Sequence, residues 1–138
     1  MNPTLLQEIL LALQNDATLQ RLAVGGIKVA FATLPTLWPS ITVHLESEQT
    51  GPATGAKTTL RRDTVATIGV HIWTDDGRGN ALWMQIDEQV NKILLNRYPR
   101  PAQTFDWIKT GGPIHQYERD TRLHHASSRY TFSYTTID

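Results

Sequence analysis

The 138-residue chain contains no cysteine, and its 13 Lys and Arg residues balance 13 Asp and Glu residues, so its formal net charge is zero. The lack of cysteine excludes disulfides, thiol nucleophiles and cysteine-ligated metals. A neutral chain has no overall field that would attract nucleic acid or an anionic membrane. A local basic patch such as Arg61-Arg62 is still compatible with that balance.

Long hydrophobic runs are also missing. No stretch approaches the roughly 20 apolar residues that a membrane-spanning helix needs. The first residues contain Glu8 and no basic segment, so we expect no signal peptide. With 40% apolar and 19% charged residues, the composition is typical of a folded domain, and we predict one domain over residues 1–138.

Helical spacing of apolar residues predicts a short N-terminal helix and a longer central one. The first contains Leu6, Ile9, Leu10 and Leu13, preceded by Asn2 as N-cap and Pro3 as first helical residue. Asp16 is suited to cap a second short helix over 17–24, which Gly25-Gly26 ends. The central helix is predicted over 80–96, after a turn formed by residues 75–79.

Alternation of apolar and polar residues predicts strands at 41–46, 64–74 and 129–137, and shorter strands at 27–32, 104–108 and 114–119. The last two candidates are separated by Gly111-Gly112-Pro113. The order predicts an α+β domain. In it, a single, mostly antiparallel sheet is packed on one face by the N-terminal helix and the longer central helix. Residues 47–61 are rich in Ser, Thr, Gly and Pro and lack periodicity, which predicts a long flexible loop.

Five histidines raise the possibility of a metal site. His44 and His71 could lie on neighbouring strands, whereas His124 and His125 are adjacent and should point to opposite faces of a strand. Because the sequence has no His-Glu-x-x-His helix or carboxylate at ligand spacing, we predict solvent-facing or interface histidines and no metal or other cofactor.

The other chemical motifs favour structural roles. Asp75 and Asp76 precede Gly77, as in a strand-to-helix turn, and the Gly77–Gly79 segment lacks the third glycine of a dinucleotide-binding loop. The aromatic residues lack the interleaved basic residues of a nucleic-acid platform. We therefore expect no enzyme activity.

The chain resembles the tail-completion, or tail terminator, proteins of long-tailed bacteriophages. The resemblance lies in Leu5–Leu13, Asp16–Leu22 with Gly25-Gly26, Pro35–Ile41, Gly69–Trp73 with the following turn, Val90–Leu95, and Tyr130–Tyr134. Residues 47–61 depart from the family as a longer insertion rich in Gly, Pro and Thr.

The resemblance implies a structural virion protein that forms a ring, expected to be a homo-hexamer, on the head-proximal end of the tail tube. Such a ring would end tube polymerisation and dock to the head connector, and genome DNA would pass through it without sequence-specific binding. We expect assembly in the host cytoplasm and no membrane partner. Candidate residues for the oligomer or tube interface are Thr50, Lys57, Arg61, Arg62, Asp75, Asp76 and Arg78.

Two alternatives remain open at the level of sequence. One is another neck or baseplate adaptor ring of the same virion, which would differ in the ring that it docks on. The other is a small cytoplasmic ligand-binding or enzymatic domain that uses His44, His71 and Asp75.

Overall fold

The computed structural model describes residues 3–29, 37–56, 59–75, 77, 79–96 and 101–137. Its elements are, in chain order, α1 (Pro3–Gln14), α2 (Ala17–Leu22), β1 (Ile27–Val29), β2 (Ser40–Thr50), β3 (Thr54–Ala56), β4 (Thr59–Asp75), α3 (Gly79–Asn96), a 3-10 turn (Pro101–Gln103), β5 (Phe105–Glu118) and β6 (Leu123–Ile137). The domain is α+β, as predicted from the sequence.

The helix boundaries follow local chemistry. α1 begins at Pro3, and the predicted cap Asn2 lies outside the described residues. Asp16 caps α2 as predicted, because its extended backbone lets its carboxylate accept the Leu19 amide at 3.0 Å. α2 ends at Leu22, one turn before Gly25-Gly26.

The strands form one sheet in the order β1-β2-β4-β6-β5, and β3 pairs with the first residues of β4. Only the pairing of β1 with β2 is parallel, so the sheet is mostly antiparallel, as expected. Alternate residues of β2, β4 and β6 join side chains of the three helices in one buried cluster. This cluster includes Ile9, Leu13, Leu19, Ile41, Val43, Ile68, Val70, Ile86, Val90, Leu94, Tyr130 and Phe132.

The opposite side of the sheet, which we call the open face, carries the intervening residues. They are mostly polar: Thr42, His44 and Glu46 on β2, Thr67 and His71 on β4, and His125, Ser127, Arg129 and Thr131 on β6. A β-bulge between Leu45 and Ser47 shifts the register of β2. Beyond this bulge the side chains of β2 exchange faces relative to the simple alternation, because one extra residue is inserted.

A buried polar network links α3 to β5 and β6 on the helix-covered side. The Lys109 ammonium lies 3.2 Å from the Asp87 carboxylate and 3.0 Å from the Asn91 side-chain oxygen. The Ser128 hydroxyl donates to Asp87 at 3.2 Å, and the Tyr130 hydroxyl donates to Asn91. Burial, together with the Asp87 charge, raises the pKa of Tyr130. The network provides partners for charges that would otherwise be costly to bury.

Two stretches differ from the sequence predictions. Most of the predicted loop over 47–61 is extended, because β2 continues to Thr50, β3 covers Thr54–Ala56 and β4 begins at Thr59. Backbone pairing with β4 can hold a strand that has little apolar surface, and periodicity does not reveal such pairing. The flexibility of the segment stays a prediction.

The two short strands predicted at 104–108 and 114–119 are parts of one strand, β5. The Gly-Gly-Pro segment between them shifts the register and does not end the strand. Gly112 has φ 89°, and a Cβ there would lie 2.5 Å from the Ser127 carbonyl oxygen, so glycine lets the irregular backbone approach β6. β6 also starts earlier than predicted, at Leu123.

Candidate functional site

The predicted interface residues do not form one patch. Thr50 ends β2, where its hydroxyl lies 3.0 Å from that of Thr64, and Arg61 and Arg62 are exposed near the start of β4. Asp75 is exposed at the other end of β4. At about 3.3 Å per residue, roughly 45 Å separates Arg61 from Asp75 along this strand. Lys57, Asp76 and Arg78 lie outside the residues that the structure describes.

Residues 47–56 form an arm at one end of the sheet. Of the side chains described there, those of 47–50 and 52–55 are exposed, so the arm has no core of its own. Its base is anchored on the helix-covered side by Tyr134, whose hydroxyl donates to Glu48. Burial and this bond raise the pKa of Tyr134 to about 12. Such an arm is held mainly by backbone pairing with β4, and most of its side chains face solvent.

Strand β5 lies at the other edge of the sheet, and among the described strands it pairs with β6 alone. Its residues Phe105, Ile108 and Ile114 pair with open-face residues of β6 and are 39%, 57% and 61% exposed. An edge strand with unpaired backbone groups and exposed apolar side chains can add a further strand or bind another protein surface.

Three histidines meet on the open face, one from each of β2, β4 and β6. His71 Nε2 lies 3.2 Å from His44 Nδ1, and His71 Nδ1 lies 2.7 Å from His125 Nε2. Glu46 continues the chain, with its Oε1 atom 3.5 Å from His44 Nε2 and its Oε2 atom 2.8 Å from Arg129 Nε. We call Glu46, His44, His71 and His125 the histidine chain.

Two neighbours position the histidine chain. A Cβ at Gly69 would lie 2.5 Å from His44 Cε1 and 2.8 Å from Glu46 Oε1, so the glycine leaves the space that both side chains occupy. The Trp73 ring stacks on His125 with a centroid distance of 3.9 Å, and its indole N–H donates to Thr42 at 3.3 Å.

Burial favours the neutral form of two histidines of the histidine chain, His71 and His125. Burial and the adjacent His125 and His44 lower the pKa of His71 to about 4. Burial also lowers the pKa of His125, although the Glu118 carboxylate opposes this change. His44 and His71 lie on the neighbouring strands β2 and β4, an arrangement that the sequence allowed, and His125 of β6 joins them as a partner that the sequence did not indicate. No local pattern in the sequence indicates this partner, because it is the register between β4 and β6 that places His125 beside Trp73 and within reach of His71.

The remaining two histidines lie on the helix-covered side. His115 Nε2 is 2.8 Å from His124 Nδ1, and the His115 ring stacks on Trp83 of α3. His124 and His125 therefore face opposite sides of the sheet, as the sequence predicted. Burial, followed by the effect of His124, lowers the pKa of His115.

The structure does not bring Asp75 together with His44 and His71. Among the described residues, no group of three or more His, Asp or Glu side chains has a geometry that would hold a metal ion. Asp75 is four residues beyond His71, about 13 Å along the strand, so the structure does not add it to His44 and His71. No described helix has the length and apolar character required to cross a membrane.

Comparisons with known proteins identify a fold. No family model matches the sequence, and no curated protein matches it. Among solved structures, the chain is similar to a chain in the "Virion of native gene transfer agent (GTA) particle", with a TM-score of 0.62 and 14% sequence identity. The superposition covers 92% of this chain and 91% of that chain. At this identity the likeness shows a shared fold over nearly the whole length of both chains.

Proposed function

We propose that this protein is a structural component of a bacteriophage-type virion. It caps the head-proximal end of the tail tube as an oligomeric ring, ends tube polymerisation and provides the docking surface for the head connector. The observation that carries the proposal is the fold shared over nearly full length with a virion chain. The family resemblance in the sequence supports the more specific position at the end of the tube.

The surface of the domain is suited to assembly. The arm of residues 47–56 and the edge strand β5 lie at different edges of the sheet, and both expose groups that another subunit can contact. A head-to-tail ring needs two different surfaces on each subunit, and closure of the ring leaves neither surface open. The zero net charge lets identical subunits approach without strong mutual repulsion.

We further propose a homo-hexamer, assembled in the host cytoplasm, through which genome DNA passes without base-specific contacts. In this arrangement Thr50 of the arm and the nearby Arg61 and Arg62 contact a neighbouring subunit or the tube, and Asp75 contributes from the opposite end of β4. Contact of the arm with a correctly placed neighbour would make capping selective for an assembled tube end. The role is structural, with no catalytic step.

Negative-stain electron microscopy of the purified protein, alone and with tail tubes, tests the proposal. We expect rings with an open centre wide enough for duplex DNA, either free or at one end of each tube. Reversing both charges in an Arg61→Glu, Arg62→Glu variant should abolish ring or tube association. Lys92→Glu on α3 is the matched control, because Lys92 is also exposed and pairs only weakly with Glu88 at 3.7 Å.

Absence of rings and of tube-end binding in the wild-type protein would contradict the proposal. Rings that bind another virion component and ignore tubes would instead support the neck or baseplate adaptor alternative. Pull-down with tube protein, connector protein and baseplate protein in separate reactions distinguishes these two structural roles.

A further inference from the structure

We propose that the histidine chain is a proton relay on the open face, which takes up one proton at His125 and holds its charge as an ion pair between His44 and Glu46. This inference concerns the domain itself and does not depend on the ring. It rests on the order in which the four side chains contact one another across three strands.

Glu46 determines which nitrogen atoms donate the hydrogen bonds in the histidine chain at neutral pH. A carboxylate only accepts hydrogen bonds, and one oxygen of Glu46 lies 3.5 Å from His44 Nε2 while the other is bound by Arg129. A proton on His44 Nε2 therefore faces a negative charge, whereas a lone pair there would be repelled by it. Glu46 thus favours the form of His44 that is protonated at Nε2.

The tautomers of the other two histidines follow from this choice. A neutral imidazole has one N–H donor and one acceptor nitrogen. His44 Nδ1 accepts from His71 Nε2 at 3.2 Å, so His71 Nδ1 is left as an acceptor and receives the proton of His125 Nε2 at 2.7 Å. All three rings consequently carry their proton on Nε2.

Addition of one proton reverses this pattern. Within the histidine chain, His125 Nδ1 is the ring nitrogen that neither donates nor accepts one of the hydrogen bonds. A proton binds there, the His125 Nε2 proton moves to His71 Nδ1, and the His71 Nε2 proton moves to His44 Nδ1. The products are His44 as imidazolium and neutral His71 and His125, each protonated on Nδ1. One proton enters, and the net charge rises by one.

Burial and the position of Glu46 place the stored charge at His44. Burial and the neighbouring imidazoles disfavour a charge on His71. Glu118 of β5 attracts positive charge toward His125, but burial outweighs it and lowers the pKa of His125. Glu46, in contrast, lies 3.5 Å from His44. Arg129 of β6 shares Glu46 and therefore competes with His44 for it. Proton uptake would weaken the Arg129–Glu46 pair and give the open face a pH-dependent charge.

Nitrogen-15 NMR of the full chain labelled in histidine tests the relay, because ring nitrogen shifts and couplings distinguish the two tautomers from imidazolium. At pH 7.5 we expect Nε2–H forms for His44, His71 and His125. During titration to pH 5, His44 should become imidazolium while His71 and His125 change to Nδ1–H at the same midpoint. In the wild-type protein, three separate midpoints or a charged His125 would overturn the proposal.

Two carboxylate variants sharpen the test. Glu46→Gln removes the charge that holds the proton, and the common midpoint should fall by about one pH unit. Glu118→Gln is the matched control: it should leave the neutral-pH tautomers and the position of the charge unchanged. His115 and His124, on the other side of the sheet, report in the same spectra whether either variant alters the fold. An equal change of the common midpoint in Glu46→Gln and Glu118→Gln would also contradict the relay.

Discussion

The two faces of the sheet use the same strands for opposite purposes. On the helix-covered face, β4 and β6 contribute Ile68, Val70, Tyr130 and Phe132 to a core that solvent does not reach. On the open face the alternate residues of these strands form polar chains, with Thr67 bonded to Thr131 and His71 to His125. The buried apolar residues of the helix-covered face stabilise the fold, whereas the open face holds polar and titratable side chains.

The largest difference between the faces should appear in side-chain truncation. Phe132 is fully buried and stacks on Trp107 with a centroid distance of 4.2 Å. Phe132→Ala should lower the free energy of unfolding by about 3–5 kcal/mol, because it removes apolar contacts and leaves a cavity. Its neighbour Thr131 on the open face provides the control, and Thr131→Ala should cost about 1 kcal/mol or less. Urea denaturation measures both, and equal losses would contradict the assignment of the faces.

The next effect compares two ion pairs. Asp87 and Lys109 are 11% and 17% exposed at their side chains, whereas Glu46 and Arg129 are 23% and 65% exposed. Asp87→Ala should cost about 2–4 kcal/mol, because it leaves the Lys109 ammonium in a largely buried site. Glu46→Ala should cost about 1 kcal/mol or less, because solvent screens its partner. Thermal or urea denaturation at pH 7 gives the two values. A larger loss for Glu46→Ala would reverse the ranking.

The smallest effect concerns acid stability on the open face. The pKa of His71 is about 4 in the folded protein and 6.5 ordinarily, so the unfolded chain binds more protons between these values. The stabilising contribution is therefore present above pH 6.5 and is lost as the pH falls toward 4. After allowance for solvent screening, the loss should be about 1–2 kcal/mol.

Urea titrations at pH 7.5 and pH 4.5 measure this loss. His71→Gln should reduce the difference in unfolding free energy between the two pH values. His115→Gln, on the helix-covered face, should reduce it less because His115 is less deeply placed than His71. An unchanged difference in His71→Gln would show that other groups account for the acid sensitivity.

Much of the fold was predictable from local patterns. The apolar spacing of α3, the capping role of Asp16 and the alternation of Ile41, Val43 and Leu45 are all present in the structure. These features depend on residues close together in sequence, which explains why periodicity detects them. The continuity of β5 through Gly111-Gly112-Pro113 was not predictable in this way. It depends on close backbone contact with β6, and glycine and proline ordinarily indicate a break.

The candidate sites were predictable only in part. The sequence indicated that His124 and His125 face opposite sides, because neighbouring residues of a strand do so. It did not indicate that His125 joins His44 and His71, which are separated from it by 81 and 54 positions along the chain. Nor did it indicate that the basic pair Arg61-Arg62 and the acidic residue Asp75 lie at opposite ends of one strand.

The sequence by itself determined the class of the domain, its helices and the core-facing sides of β4, β6 and the part of β2 before its bulge, since these follow from the local alternation of apolar and polar residues. Only the tertiary structure decided the strand order, the register and the bulge at Glu46. Those three features place Glu46, His44, His71 and His125 in a single chain of contacts. The physical reason is that register results from pairing between distant segments, and a shift of one residue would move every one of these side chains to the opposite face.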